Sequence, residues 1–210
     1  MIIKLCGLRR IEDIEYINAV RPDFAGFILA EGYRRTVAPE FAAELVSALR
    51  PEIKPVGVFV DQSAEFVSGA AEKIGLYAVQ LHGDEDGAYI LRLRELTSAK
   101  IWKAARVRTV SDVLKADGLG ADMLVLDSFS ENANGGTGKV FNHEIIKNIR
   151  TVTPFLLAGG LNSHNIGEAL KILPEGCGVD LSSGIETDGV KDFQKIKQIV
   201  SMVRKGDKNV

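Results

Sequence analysis

The stretch Met1-Ile2-Ile3-Lys4-Leu5-Cys6-Gly7-Leu8 reads as a β-strand that ends in a thiol and a glycine. Side chains alternate across a strand, so Lys4 and Cys6 share one face while Ile3 and Leu5 share the other. A lysine and a cysteine on one face of an otherwise apolar strand need an explanation, because a buried charge is costly unless it is paired. The explanation comes from what repeats downstream.

Seven more short apolar runs follow Ile2–Cys6, at Asp23–Leu29, Lys54–Val60, Tyr77–Leu81, Lys100–Arg106, Asp122–Asp127, Pro154–Ala158 and Cys177–Ser182. Helical spacing fills the intervals: Val67, Ala70, Ala71 and Ile74 in one, Ile166, Ala169, Leu170 and Leu173 in another. A last amphipathic stretch carries Phe193, Ile196, Ile199, Val200 and Val203 on one stripe. Eight βα units, with strands too apolar to face water on either side, predict a single (β/α)8 TIM barrel over residues 1–204, with 205–210 as a polar tail that frays. An open doubly wound sheet would want a glycine-rich dinucleotide loop after the first strand, and Leu8-Arg9-Arg10 follow Gly7 instead.

Successive strand starts fall 21, 31, 23, 23, 22, 32 and 23 residues apart. The excess lies after strands two and six, at Ala30–Ala38 and Ser128–Val140. Loops that follow strands open on the C-terminal face of such a barrel, where active sites are built, and long loops in a compact domain usually serve function.

Composition narrows the partners. The 210 residues are 46% hydrophobic and 26% charged, with a formal net charge of -2. That balance offers no basic footprint for nucleic acid. No apolar run approaches the roughly 20 residues of a membrane helix. The N-terminus is apolar but short, and Arg9 and Arg10 follow it without a small-residue cleavage site, so it does not read as a secretory signal. Cys6 and Cys177 stand at opposite ends of the chain without metal-ligand spacing, which reads as reduced thiols in a cytoplasmic protein.

A lone cysteine in a strand is most often a small buried hydrophobe. Cys6, however, is the last residue of the first strand, at the catalytic end of the barrel, where a thiolate can act as nucleophile or base. Cys177 opens the eighth strand at the opposite end and reads as structural. Asp127 ends the sixth strand after Met123-Leu124-Val125-Leu126; as a cap it would only hold the next loop, while apolar surroundings would raise its pKa and make it a general acid. Gly159-Gly160 after the seventh strand and Ser182-Ser183-Gly184 after the eighth lie where this fold commonly seats a phosphate. Ser128–Gly138 is rich in glycine and asparagine and reads as a lid beside Asp127.

Arg34 and Arg35 sit in the other long loop, either as solvated charges or as a fork for a second anion such as a carboxylate. His82, just past the fourth strand, is a proton carrier, a polar wall or a rim residue. Lys4 with Cys6, Gln80 with His82, and Asp180 with Ser182 each share a parity. If the second of each pair faces the site, the first points into the barrel below it. Lys4 and Asp180, on neighbouring strands one and eight, are then expected to form an ion pair.

These residues together resemble phosphoribosylanthranilate isomerase. The resemblance rests on Lys4-Leu5-Cys6-Gly7, Gly57-Val58-Phe59-Val60, Gln80-Leu81-His82-Gly83, Leu126-Asp127-Ser128 with Gly135-Gly136-Thr137-Gly138, Leu157-Ala158-Gly159-Gly160-Leu161, and Gly178 through Glu186, in the family's order over essentially the whole chain. It implies the isomerase step of tryptophan biosynthesis, an Amadori rearrangement of N-(5-phosphoribosyl)anthranilate to the carboxyphenylamino-deoxyribulose phosphate, with no cofactor and no metal. The family's general base falls on Cys6 and its general acid on Asp127. Its anthranilate-binding arginine falls on Arg35 when Pro39 is aligned, with Arg34 a substitute and Tyr33 an extra contact. His82 and Asp180 carry over as polar groups lining the site. The expected partner is the phosphorylated sugar–anthranilate substrate, with no nucleic acid or membrane, in a monomer or homodimer. Two other readings remain: another sugar-phosphate barrel of tryptophan or histidine biosynthesis, and a catalytically silent phosphate-binding barrel. The former would use lysine and glutamate, or two aspartates, at its strand ends; the intact Cys6 and Asp127 argue against both.

Overall fold

A computed structural model describes residues 1–128, 145, 146 and 149–206. Eight parallel strands close into a barrel in sequence order: β1 (Ile2–Cys6), β2 (Phe24–Ile28), β3 (Lys54–Phe59), β4 (Ala78–Leu81), β5 (Lys100–Val107), β6 (Met123–Ser128), β7 (Phe155–Ala158) and β8 (Gly178–Leu181). The closing seam pairs β1 with β8, with Lys4 opposite Asp180. Helices α1 (Ile11–Val20), α2 (Pro39–Ser47), α3 (Ala64–Ile74), α4 (Gly87–Leu96), α5 (Val110–Asp117), α6 (Ile166–Leu170) and α7 (Phe193–Gly206) lie outside it. The eight-unit barrel read from the strand spacing is therefore the architecture. None of the helices among the described residues is long and apolar enough to cross a membrane.

Local chemistry sets the helix ends. Ser63 caps α3 by accepting from the Phe66 N–H at 3.3 Å, and Gly75 ends it in the left-handed conformation with φ of 74°. The buried face of α3 is Ala64, Val67, Ala70, Ala71 and Ile74, which contains the stripe its spacing predicts. Asp86 caps α4 through the Tyr89 N–H at 2.8 Å. Helix α7 runs to Gly206, two residues into the stretch expected to fray; 207–210 lie outside the described residues.

Strand alternation divides the core in two. Odd-numbered β1 residues Ile3 and Leu5 pack outward against the helices, while Phe24, Val56, Ala78, Trp102, Val125 and Leu156 fill the barrel from within. Trp102 meets Phe24 edge-on with ring centroids 4.8 Å apart. Above this apolar plug the inward positions turn polar: Lys4, Gln80 and Asp180 are all buried. The next inward positions on the same strands are Cys6, His82 and Ser182, so a polar layer supports the C-terminal rim.

One element has no apolar signature. After β8 a 3-10 turn (Ser183–Ile185) leads into an antiparallel hairpin of two-residue strands, β9 (Glu186–Thr187) and β10 (Val190–Lys191), in which Lys191 pairs with Glu186. The loop at 30–38 folds back on its own strand: Val37 N–H donates to Ile28 O at 2.9 Å, and Thr36 Oγ1 to Ala30 O at 2.5 Å. The lid expected over Ser128–Val140 falls, past the end of β6, outside the described residues.

Candidate active site

Cys6 ends β1 as a buried side chain. Its register partner on β2 is Gly26, and a methyl group there would lie 2.7 Å from the Cys6 Sγ. The thiol thus occupies space that only a glycine leaves open. Below it, the Lys4 ammonium donates to Asp180 Oδ2 at 2.8 Å. The ion pair expected from parity is present. Lys4 is nevertheless more than a structural counter-charge, because its positive charge also pulls down the pKa of the Cys6 thiol.

These neighbours pull the thiol in opposite directions. Burial pushes Cys6 up, Lys4 pulls it down, Asp180 pushes it up again, and Lys191 pulls it down; the balance is a pKa above the ordinary thiol value. Lys4 is raised as well: burial works against its charge, but Asp180 and Cys6 outweigh that. Asp180 Oδ1 and Gln80 Oε1 are buried without a hydrogen-bond partner among the described residues.

Asp127 ends the inward series Met123, Val125, Asp127 on β6, three strands from β1 around the ring. Its side chain is 35% exposed, so the expectation of an apolar pocket around it is not met: the strand carries the carboxyl past the core to the open rim. Its neighbour is His82, whose Nε2 lies 3.7 Å from Asp127 Oδ2. The other ring nitrogen, Nδ1, is 3.0 Å from Gln80 Nε2. With the amide in that orientation Gln80 donates to Nδ1, which puts the proton of a neutral ring on Nε2, toward Asp127. The loop carrying His82 is pinned from below. Lys103 Nζ donates to Gly83 O at 2.6 Å and to Glu85 Oε2 at 2.8 Å, and Glu85 Oε1 accepts from the Asp61 N–H at 2.9 Å.

The two arginines of the β2 loop both hold a carboxylate, although Arg34 remains exposed. Arg35 donates from Nε and Nη2 to the two oxygens of Glu186, at 2.6 and 2.8 Å, and Arg34 Nη2 reaches Glu186 Oε2 at 2.8 Å. Lys191 closes the cluster, donating to Glu186 Oε1 and to Ser182 O, both at 2.9 Å. Burial alone would raise the Glu186 carboxyl, but the bonds from Arg35 and Lys191 outweigh it and bring the pKa down to about 2. Burial lowers Lys191, with Glu186 opposing. Gly7, at φ of 76°, lets Arg35 cross the end of β1: a methyl group at Gly7 would sit 2.5 Å from Arg35 Cδ and 3.1 Å from Ser182 Oγ. Tyr33 is exposed on the same loop.

The two small-residue turns lie side by side on this rim. Gly159 and Gly160 take positive φ angles of 88° and 65°. Gly184 packs against the Leu161 carbonyl so closely that any side chain would collide with it. Ser183 and Gly160 are exposed at the mouth. Cys6, Asp127, His82, Arg35 and both turns thus share the C-terminal face, with Asp180 one layer below. Cys177 is buried at the other end of β8, as read. Among the described residues no three His, Cys, Asp or Glu side chains gather as a metal site requires.

The sequence model of the N-(5'-phosphoribosyl)anthranilate (PRA) isomerase family matches residues 3–202. The chain belongs to the PRA isomerase family. It is 43% identical over 202 residues to the PRA isomerase of Thermoanaerobacter pseudethanolicus, covering 96% of this chain and 97% of that one. The phosphoribosylanthranilate isomerase of Thermotoga maritima superposes with a TM-score of 0.88 at 30% identity, over 98% of this chain and 100% of that one. A PRA isomerase solved in complex with reduced 1-(o-carboxyphenylamino)-1-deoxyribulose 5-phosphate superposes with a TM-score of 0.82 at 27% identity, over 98% and 100%.

Against the family motifs quoted above, three residues stand out that carried no role in the sequence reading. Gly26 makes room for the thiol, and Glu186 and Lys191 hold the arginines. Glycine 26 lies in an apolar run, and Lys191 is one lysine in a polar segment; their work becomes visible only when β2 and the hairpin close around β1.

Proposed function

We propose that this chain isomerises N-(5-phosphoribosyl)anthranilate, with Asp127 as general acid and Cys6 as general base. Asp127 protonates the furanose ring oxygen, the ring C1–O bond breaks, and the anthranilate nitrogen's lone pair forms the Schiff base. Cys6, as thiolate, then takes the proton from C2; the electron pair of that C–H bond moves toward nitrogen and yields an enolamine, which tautomerises to the aminoketose. The Schiff base acidifies the C2 proton, and a thiolate of raised pKa is a stronger base once formed, although less of it is present.

The observation that carries this reading is the division of labour across the rim. A half-exposed carboxyl beside a histidine lies on the same rim as a buried thiol whose pKa an ammonium pulls down. Such unlike environments suit one proton donor and one proton acceptor. The turns at Gly159-Gly160 and Ser182-Ser183-Gly184 would seat the phosphate, and Arg35 would meet the anthranilate carboxylate through the part of its fork that Glu186 leaves open. His82 would orient Asp127, and Asp180 would set Lys4 beneath the thiol. A monomer or a homodimer would serve, since one chain supplies every residue named.

The test is to generate phosphoribosylanthranilate in place and follow its fluorescence decay. Acceleration by the wild type and its loss in Asp127→Asn support the reading. Decay at the uncatalysed rate with wild type rejects it.

A further inference from the structure

Glu186 is gripped by three cations, Arg34, Arg35 and Lys191, yet it carries one negative charge. The cluster therefore keeps a surplus of positive charge at the mouth of the barrel. Its geometry is specific. Glu186 engages Arg35 through Nε and Nη2, the side-on edge of the guanidinium, and both oxygens are used. Among the described residues the two N–H bonds of Nη1 and the outer one of Nη2 meet no acceptor and remain for another.

The carboxylate is itself held rigidly. Lys191 lies opposite it in the β9–β10 register and is buried, and it ties Glu186 Oε1 to the Ser182 carbonyl at the end of β8. Arg9 fastens the hairpin to the β2 loop, donating to Gly189 O and to Arg34 O, each at 3.2 Å. The aliphatic part of Arg35 runs over Gly7 directly after Cys6. We infer that the β9–β10 hairpin is a clasp in which Glu186 acts as a positioning residue for Arg35, aiming its open edge at the carboxylate of the bound aryl amine.

This rests on the reading that Arg35 meets that carboxylate, and it adds that Glu186 orients the arginine instead of competing with the substrate for it. A long unanchored arginine would have to give up its rotamer freedom on binding, which a preformed fork has already lost. The expected signature is a loss confined to substrates that carry the carboxylate.

The experiment compares N-(5-phosphoribosyl)anthranilate with N-(5-phosphoribosyl)aniline, which lacks the carboxylate, as substrates of wild type, Arg35→Gln, Glu186→Gln and the double variant Glu186→Gln/Lys191→Met. Removing Lys191 with its partner leaves no buried ammonium alone, so the double variant reports if Glu186→Gln fails to fold. In both Glu186 variants the KM for the anthranilate substrate rises about tenfold, the scale of one charge-assisted hydrogen bond. In Glu186→Gln the kcat is little changed; the double variant also loses the Lys191 charge that acts on Cys6, so it is read by KM alone. In both variants the KM for the aniline substrate is unaffected. Arg35→Gln abolishes the preference between the two substrates. If it keeps the preference, the role of Arg35 and the inference both fall. If Arg35→Gln loses the preference but the Glu186 variants keep it, or bind the anthranilate substrate more tightly, the inference alone is overturned.

Discussion

The Lys4 ammonium lies 2.8 Å from Asp180 Oδ2 inside the barrel, and the same ammonium pulls down the pKa of the Cys6 thiol, the proposed base. Structure and chemistry therefore share one charge. Removing one partner of a buried pair leaves the other uncompensated, at a cost of about 3–5 kcal/mol, while removing both with matched shapes is far milder. Lys4→Met and Asp180→Asn are each expected to lower the melting temperature, and the double variant to recover a large part of the loss. A double-mutant cycle in thermal unfolding checks this; additive losses would mean that the two groups do not interact.

Asp180 also acts on the thiol. Its carboxylate pushes the Cys6 pKa up and occupies part of the Lys4 ammonium that would otherwise pull it down. In Asp180→Asn that push disappears, so the thiolate should form at lower pH than in wild type. Ultraviolet thiolate absorbance against pH, taken as the difference from the matching Cys6→Ser protein, reads this directly. Wild type should titrate above the ordinary thiol range and Asp180→Asn below wild type.

Gly26 tests how tightly the Cys6 thiol is placed. A methyl group there would lie 2.7 Å from the Cys6 Sγ, closer than two such atoms can sit, so Gly26→Ala must displace the thiol or β2. Overpacking a filled interior costs about 1–3 kcal/mol. Activity should fall further than this stability loss alone would suggest, because a misplacement of about 1 Å can cost on the order of 100-fold in rate. Unchanged kcat in a folded Gly26→Ala protein would show that Cys6 tolerates displacement.

Glu186 gives a pH dependence of stability with a definite sign. Its folded pKa, about 2, lies below the roughly 4.3 of an unfolded glutamate. The contribution is therefore complete above the unfolded value and is lost as pH falls from there toward 2. Melting temperatures of wild type and Glu186→Gln should differ most near neutrality and converge between pH about 4 and 2. A gap that stays constant across that window would contradict the charge-based account.

How far the sequence carried these assignments follows from which residues have periodic neighbours. Eight apolar runs at near-regular spacing made the barrel legible, and parity within β1 and β8 was enough to pair Lys4 with Asp180. Cys6 and Asp127 were found because each ends an apolar strand. The exposure of Asp127 is not legible for the same reason: Leu124 and Leu126 pack outward, so the apolar run describes the strand's outer face and not the rim that the carboxyl reaches. The Glu186 clasp was hidden because two-residue strands bury almost nothing and leave no hydrophobic period. Arg35 and Glu186 are 151 residues apart, and only barrel closure brings them within hydrogen-bond reach.

The central claim is that Cys6 is the base of the isomerisation, and it is tested most directly by the kcat of Cys6→Ala on phosphoribosylanthranilate generated in place. Loss of a positioned base costs about 100- to 10,000-fold. The account predicts a fall in that range, with the protein folded and still binding the product. A Cys6→Ala enzyme that turns over at close to the wild-type rate would contradict it.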